Sequence, residues 1–215
     1  MVKKAPRRTA ARILEVAREQ FNRFGEPNVP VAQVAAELGI SPGNLHYHYK
    51  AKDELVNALF DSHAEALGEL LAEAPDVRDM ASAESFLRAL FGQIWYVRFL
   101  YRDLGDLLSR NRRLETRLQP LLADEALALR LMLDRLRREG VLSLHAEDIG
   151  LVADSMMMVL TFWPSHEYVR APRQALEPEA AGQALTRGLR QVLHLLAPYQ
   201  REGAATGPTA EVLAP

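Results

Sequence analysis

Apolar residues return every three or four positions along most of the chain, and no segment alternates with period two through β-branched residues. The pattern therefore predicts helices and no strands. Ile13, Leu14, Ala17, Phe21 and Phe24 place a first helix over about 7–24, which Gly25 stops, with Pro27 and Pro30 confirming the break. A short second helix is expected over 31–38, closed by Gly39, and a third over 41–49, with Ser41 as its cap and Pro42 in its first turn. The fourth starts near Lys52 and carries Leu55, Val56, Leu59, Phe60, Leu67 and Leu70 past Leu71. Pro75 suggests a hinge. Beyond it, helices are expected over 82–99, 101–109, 112–139, 146–166 and 178–199, punctuated by Gly140, Pro164, Pro172 and Pro178, with Pro120 kinking or dividing the long one. The Gly, Ala, Thr and Pro content of 201–215 predicts a disordered tail. The fold expected is all-α, with a three-helix N-terminal domain over 1–52 and a helical body over 53–200.

Within the head, Val34 to Tyr49 reads VAAELGISPGNLHYHY, which fits a helix-turn-helix. That motif needs a small residue where its helices touch, a turn residue tolerant of positive φ and apolar residues on either side; Ala35, Gly39, Val34, Leu38, Ile40 and Leu45 fill those places. At about 100° per residue, Gly43, Asn44, Tyr47 and His48 share one side of the third helix while Leu45 and Tyr49 fall on the other. Its polar side holds no Lys or Glu, only uncharged hydrogen-bonding groups, and such a face suits the base edges of a DNA major groove.

Charge sharpens this reading. Residues 1–52 hold nine Lys/Arg against four Glu, a balance of +5, whereas the chain as a whole stands at −2, so the rest sums to −7. A basic head on an acidic body can approach a polyanion with the head alone. The absence of cysteine rules out disulfides, Cys-ligated zinc and a thiol nucleophile, and accords with a reducing cytoplasm. The uncharged stretch Ser155 to Ser165 falls short of the ~20 residues of a membrane span, and Glu15 and Arg18 interrupt any signal-peptide core. No membrane association is expected, and the localisation expected is cytoplasmic.

Arg12–Ile13–Leu14, Ala17, Phe21 and Gly25, followed by VAAELGISPGNLHYHYKAKDELVNALF from Val34 to Phe60, resembles the N-terminal domain of the tetracycline-repressor (TetR) family of bacterial transcriptional regulators. The likeness covers about residues 7–60. By that resemblance Ser41, Pro42, Gly43, Asn44, His46, Tyr47 and His48 form the surface that meets double-stranded DNA, Lys52 grips a phosphate and Gln33 adds a contact. The arm with Lys3, Lys4, Arg7 and Arg8 is expected to neutralise phosphates. The resemblance further implies an effector-binding and dimerisation body whose last two long helices pair in a homodimer. Ile149 to Trp163, apolar around most of its helix, and the stripe of Leu185, Leu189, Val192, Leu193 and Leu196 are consistent with that pairing. Trp95, Tyr96, Phe99, Tyr101, Met132, Met156, Phe162 and Trp163 are candidates to line a cavity for a small apolar or aromatic effector. Two departures from the family pattern stand out: Pro30 replaces a Thr near the second helix, and Ala51 forgoes a cap worth about 1 kcal/mol before the fourth.

No zinc-protease helix, phosphate-binding glycine loop or nucleophile elbow occurs, so no enzyme and no cofactor is expected. His46 and His48 diverge on their helix and do not suggest a metal site. The competing reading is a helical interaction module that uses its basic arm on acidic protein or anionic lipid.

Overall fold

Residues 5–173 and 180–201 are described by a computed structural model, with side chains from Arg8 and Ala181 onward in the two segments. Ile13, Ala17 and Phe21 lie four residues apart on α1 (Ala5–Phe24), and all three are wholly buried. The helix stops where Gly25 takes a φ of 86°, a backbone state that glycine adopts without steric penalty. A 3₁₀ turn over Glu26–Asn28 leads to α2 (Val31–Glu37). Gly39, with a φ of 66°, then redirects the chain into α3 (Pro42–His48). Val34 and Ala35 of α2 meet Leu45 of α3 in the core, so the helix-turn-helix is held by its own apolar residues.

The long α4 (Lys52–Leu71) runs from the head into the body. There follow α5 (Met80–Tyr96), α6 (Arg98–Arg102), α7 (Leu104–Arg110), α8 (Arg112–Arg138), α9 (Ile149–Arg170) and α10 (Ala180–Leu196). No strand occurs among the described residues; a single antiparallel bridge joins Leu142 to Gln200. α8 packs on α4 and α9, α10 lies across α5 and α9, and α6 sits between α9 and α1. The crossing of α10 is close: a Cβ on Gly188 would lie 2.7 Å from the Phe91 ring. Trp163 Nε1 also donates to the Ala184 carbonyl of α10 at 2.9 Å.

Several boundaries differ from those expected. α5 begins at Met80 because Asp79 is its cap, accepting from the Ser82 N–H at 2.7 Å while Ser82 Oγ accepts from the Asp79 N–H at 3.2 Å. It ends at Tyr96 instead of Phe99, and α6 and α7 are separate short helices. Pro120 lies inside an unbroken α8. Both it and Thr116, whose carbonyl it deprives of a helical partner, are exposed, so the break in the ladder falls on the solvent side of the helix. α9 likewise continues through buried Pro164 to Arg170. The hinge expected at Pro75 is a 3₁₀ turn over Ala74–Asp76, pinned against α8 with Ala74 and Val77 buried. Pro178 and residues 202–215, where a helix start and most of a tail were expected, lie outside the described residues.

Candidate nucleic-acid interface and effector cavity

Ser41 Oγ accepts the Asn44 N–H at 3.2 Å and Pro42 occupies the first turn, which sets the start of α3. Leu45 then anchors the helix with no exposure, whereas Tyr47 on the opposite side is 81% exposed. Ser41, Pro42, Gly43, Asn44 and His46 are exposed as well, and His48 is half-buried with its ring edge-on to Tyr47 at 5.3 Å between centroids. His46 Nδ1 lies 3.2 Å from the Lys50 carbonyl, which ties that ring to the end of its own helix. Hydroxyl, amide, phenol and imidazole groups thus share one open surface with no charged side chain of α3 among them. Gln33 is exposed on α2 beside it and donates from Nε2 to Gln20 Oε1 at 2.6 Å.

In the body, Phe60 and His63 of α4, Leu100 and Tyr101 of α6, Leu104 of α7, and Leu114 and Leu118 of α8 line a cavity of about 10 Å³, room for about one water. His63 Nε2 and the Tyr101 hydroxyl lie 2.8 Å apart there, out of contact with solvent. Burial pushes the His63 imidazole down to about 4, so the ring is neutral at physiological pH. Burial, with a smaller contribution from the charge of Glu125, raises the Tyr101 phenol well above its usual value.

The family model described as "Bacterial transcriptional repressor" (TetR) matches residues 62–206, and that of the "Bacterial regulatory proteins, tetR family" matches residues 13–59. The chain belongs to the TetR family. Among its relatives, the HTH-type transcriptional regulator TtgR of Pseudomonas putida is 31% identical over 93 residues, 43% of this chain and 44% of that protein. The regulator BetI of Brucella suis biovar 1 is 27% identical over 180 residues, 79% of this chain and 82% of its own. The chain spans about half the length of the first curated relatives it matches. A TetR-family regulator from Marinobacter aquaeolei VT8 superposes with a TM-score of 0.80 at 26% identity, covering 95% of each chain. SmeT in complex with triclosan superposes at 0.62 and 20% identity, over 97% of this chain and 98% of that one, and shows the shared fold.

Against what is expected of a TetR-family member, two groups of residues are placed differently. Lys52 is turned inward: its ammonium donates to the carbonyls of Glu26 at 2.8 Å and Val29 at 3.3 Å and pairs with Glu26 Oε1 at 3.1 Å. It is a latch between α4 and the turn after α1, not a free phosphate grip. The Glu26 carboxylate, wholly buried, also receives Arg110 from α7, which in addition pairs with Asp53 and Asp106. Ala51 supplies no side-chain cap to α4, but Glu54 reaches back to the Lys50 N–H at 2.7 Å. Arg8 is exposed on α1, while Lys3, Lys4 and the side chain of Arg7 lie outside the described residues.

The eight residues expected around an effector do not converge. Tyr101 alone of them lines the cavity described above. Phe99 packs on Phe21 of α1 with ring centroids 5.2 Å apart, and Trp95 lies by Arg98, Arg102, Pro164 and Tyr168 in a separate crevice. Met132, Met156 and Trp163 fill the core. Tyr96 and Phe162 face outward, the former beneath the Arg18 guanidinium at 3.9 Å. The stripe on α10 is corrected in the same way, since Leu189, Val192, Leu193 and Leu196 are buried within the protomer and Leu185 is half-buried. Sequence reasoning missed His63 and Glu125. Both had a signal: each stands four residues from apolar neighbours on either side, Leu59 and Leu67 for His63, Leu121 and Leu129 for Glu125, and so falls on the apolar face of its helix.

Proposed function

We propose that this chain is a homodimeric, effector-released repressor that reads a palindromic operator with α3. The observation that carries the reading is the division of α3, with Leu45 sunk in the core and Asn44, Tyr47 and Gly43 presented together to the outside. In a two-fold dimer the two copies of α3 enter successive major grooves, with Asn44 and Tyr47 at base edges, Ser41, Pro42, Gly43, His46 and His48 around them, and Arg8 with the arm on phosphates. Its place of action is the cytoplasm.

Outward-facing Leu151, Met158, Phe162 and Val169 on α9, continued by Leu127 and Leu131 on α8, support a dimer face there. α10 adds exposed Gly182 and Thr186, small enough for close approach of a second helix. An effector opening the cavity displaces α6, and α6 holds the end of α1: Arg102 donates to the carbonyls of Phe21 at 3.3 Å and Asn22 at 3.4 Å, and Phe99 packs on Phe21. Release requires the effector to favour the displaced arrangement by a few kcal/mol.

Selection of bound duplexes from a random pool tests the reading. A recovered palindrome with half-sites a whole number of turns apart is expected. Binding without sequence preference, or retention only on anionic vesicles, would instead make the chain an interaction module.

A further inference from the structure

We infer that the cleft between α1 and α6 is a second ligand site, for a small organic carboxylate, with Arg98 and Arg18 as the groups that receive its charge. It is separate from the cavity among α4, α6 and α8, and its assignment does not depend on the repressor reading.

The cleft encloses about 740 Å³, within the range of small-molecule sites. Its lining comes from α1, from Glu37 and Leu38 at the end of α2, and from Arg98 of α6 and Ala181 of α10. Arg18 and Arg98 both line it, both are half-buried, and both hang on the end of α5. Arg18 Nη1 donates to the Tyr96 carbonyl at 3.4 Å and Arg98 Nη1 to the Trp95 carbonyl at 3.5 Å, long and therefore weak bonds. Successive carbonyls thus gather two guanidinium groups at one place. Burial, then the charges of Arg102 and Arg18, push the Arg98 guanidinium down to about 10, and it stays charged at physiological pH. Arg18 has Glu19 at 3.4 Å and Arg102 has Asp103 at 3.0 Å, but Arg98 pairs with no carboxylate among the described residues. A helix end offers roughly half a negative charge, so the carbonyls of α5 do not neutralise it. Nε of Arg98 and Nε of Arg18 are also buried without an acceptor. A half-buried cation short of counter-charge, on the wall of a space that fits a small molecule, points to an anion.

The rest of the lining narrows the chemistry. Arg12, Arg23, Glu15, Glu19 and Glu37 are exposed, where water and salt screen them, so the half-buried pair Arg18 and Arg98 sets the charge that a ligand meets within. An amine is repelled there, and a neutral molecule leaves Arg98 without its counter-charge. A carboxylate matches the planar guanidinium fork with two parallel hydrogen bonds. Phe24, 43% exposed, offers apolar surface in the same cleft with Val16 and Leu38, so the carboxylate is carried on a hydrocarbon or aromatic body. Bound there, the ligand joins Arg18 of the head to Arg98 of the body, beside the bonds by which Arg102 of α6 holds the end of α1.

The test is calorimetric titration of the full chain with 3-phenylpropionate, 3-phenylpropan-1-ol and inorganic phosphate, which separate the charge from the apolar body. The carboxylate is expected to bind about tenfold more tightly than either of the others. Arg98→Gln should bring the carboxylate down to the level of the alcohol and leave the alcohol unchanged, whereas Arg78→Gln, at an exposed arginine outside the cleft, should alter neither. Arg18→Gln carries the same expectation as Arg98→Gln and serves if that variant fails to fold. Equal binding of carboxylate and alcohol, no binding of the carboxylate, phosphate bound as tightly as the carboxylate, or a preference that survives Arg98→Gln or is lost equally in Arg78→Gln would overturn the assignment. Operator binding is scored separately on the selected duplex. A chain that binds the carboxylate through Arg98 but no operator would sink the repressor reading and leave this one standing.

Discussion

Asn22 of α1 and Phe99 of α6, 77 residues apart in sequence, are joined by a hydrogen bond from the Phe99 N–H to Asn22 Oδ1 at 3.0 Å. The same amide donates through Nδ2 to the Tyr96 carbonyl at 2.9 Å. One side chain, 2% exposed, thus takes over the backbone groups left free where α5 breaks at Val97, and joins the head to the wall of the cavity.

Asn22→Leu should leave the Phe99 N–H and the Tyr96 carbonyl buried without partners. A loss of about 2–4 kcal/mol in urea denaturation is expected, together with weaker release of operator by effector. Wild-type stability would mean that the break between α5 and α6 is set by something else.

Asn44→Ala and Lys52→Ala should separate reading from latching. The first is expected to lose about 1–3 kcal/mol at one base pair of each half-site with no change in melting temperature. Lys52→Ala removes a cation from buried Glu26, so it should lower stability by roughly 2–4 kcal/mol and leave the salt dependence of DNA binding unaltered. Arg8→Ala, by contrast, should reduce that salt slope by about one unit. A flatter salt dependence in the Lys52 variant, at unchanged stability, would return that residue to the phosphates.

Phe162→Asp places a charge in the middle of the exposed apolar face of α9. Sedimentation should show the variant as a monomer that retains its helical content and binds full operators more weakly than half-sites warrant. A dimer of undiminished affinity would move the interface elsewhere.

The buried acid and imidazole predict an uneven pH profile. Glu125, raised to about 8, keeps its proton in the folded chain when the unfolded chain has lost it, so its contribution to stability falls as pH rises from about 4.5 to 8. His63, lowered to about 4, acts oppositely, and its contribution is lost as pH falls from about 6.5 through 4. The two offset each other between those limits, and above 6.5 only the glutamate remains of the pair. Relative to Glu125→Gln, the wild type should therefore lose roughly 1–2 kcal/mol between pH 6.5 and 8. Parallel denaturation profiles would show that Glu125 is already ionised in the folded protein.

The amino-acid order alone determined the head. Gly25 and Gly39, Ser41 with Pro42, and the spacing of Ile13, Ala17, Phe21, Val34 and Leu45 act on neighbours within a turn or two, so helix limits and the outward face of α3 follow from local stereochemistry and period. The body was legible as helices but not as a site, because a period tells that a face is buried and not against what. Phe99 and Leu189 are apolar at helical spacing just as Phe162 is, yet the first two are spent inside the protomer and the last faces outward. Only the packing of distant helices decided that Asn22 would end α5, that Glu26 would take Lys52 away from solvent, and that His63 would meet Tyr101 in the core. Those are contacts between residues tens of positions apart, and a hydrogen bond or ion pair of that kind leaves no periodic trace in the chain that makes it.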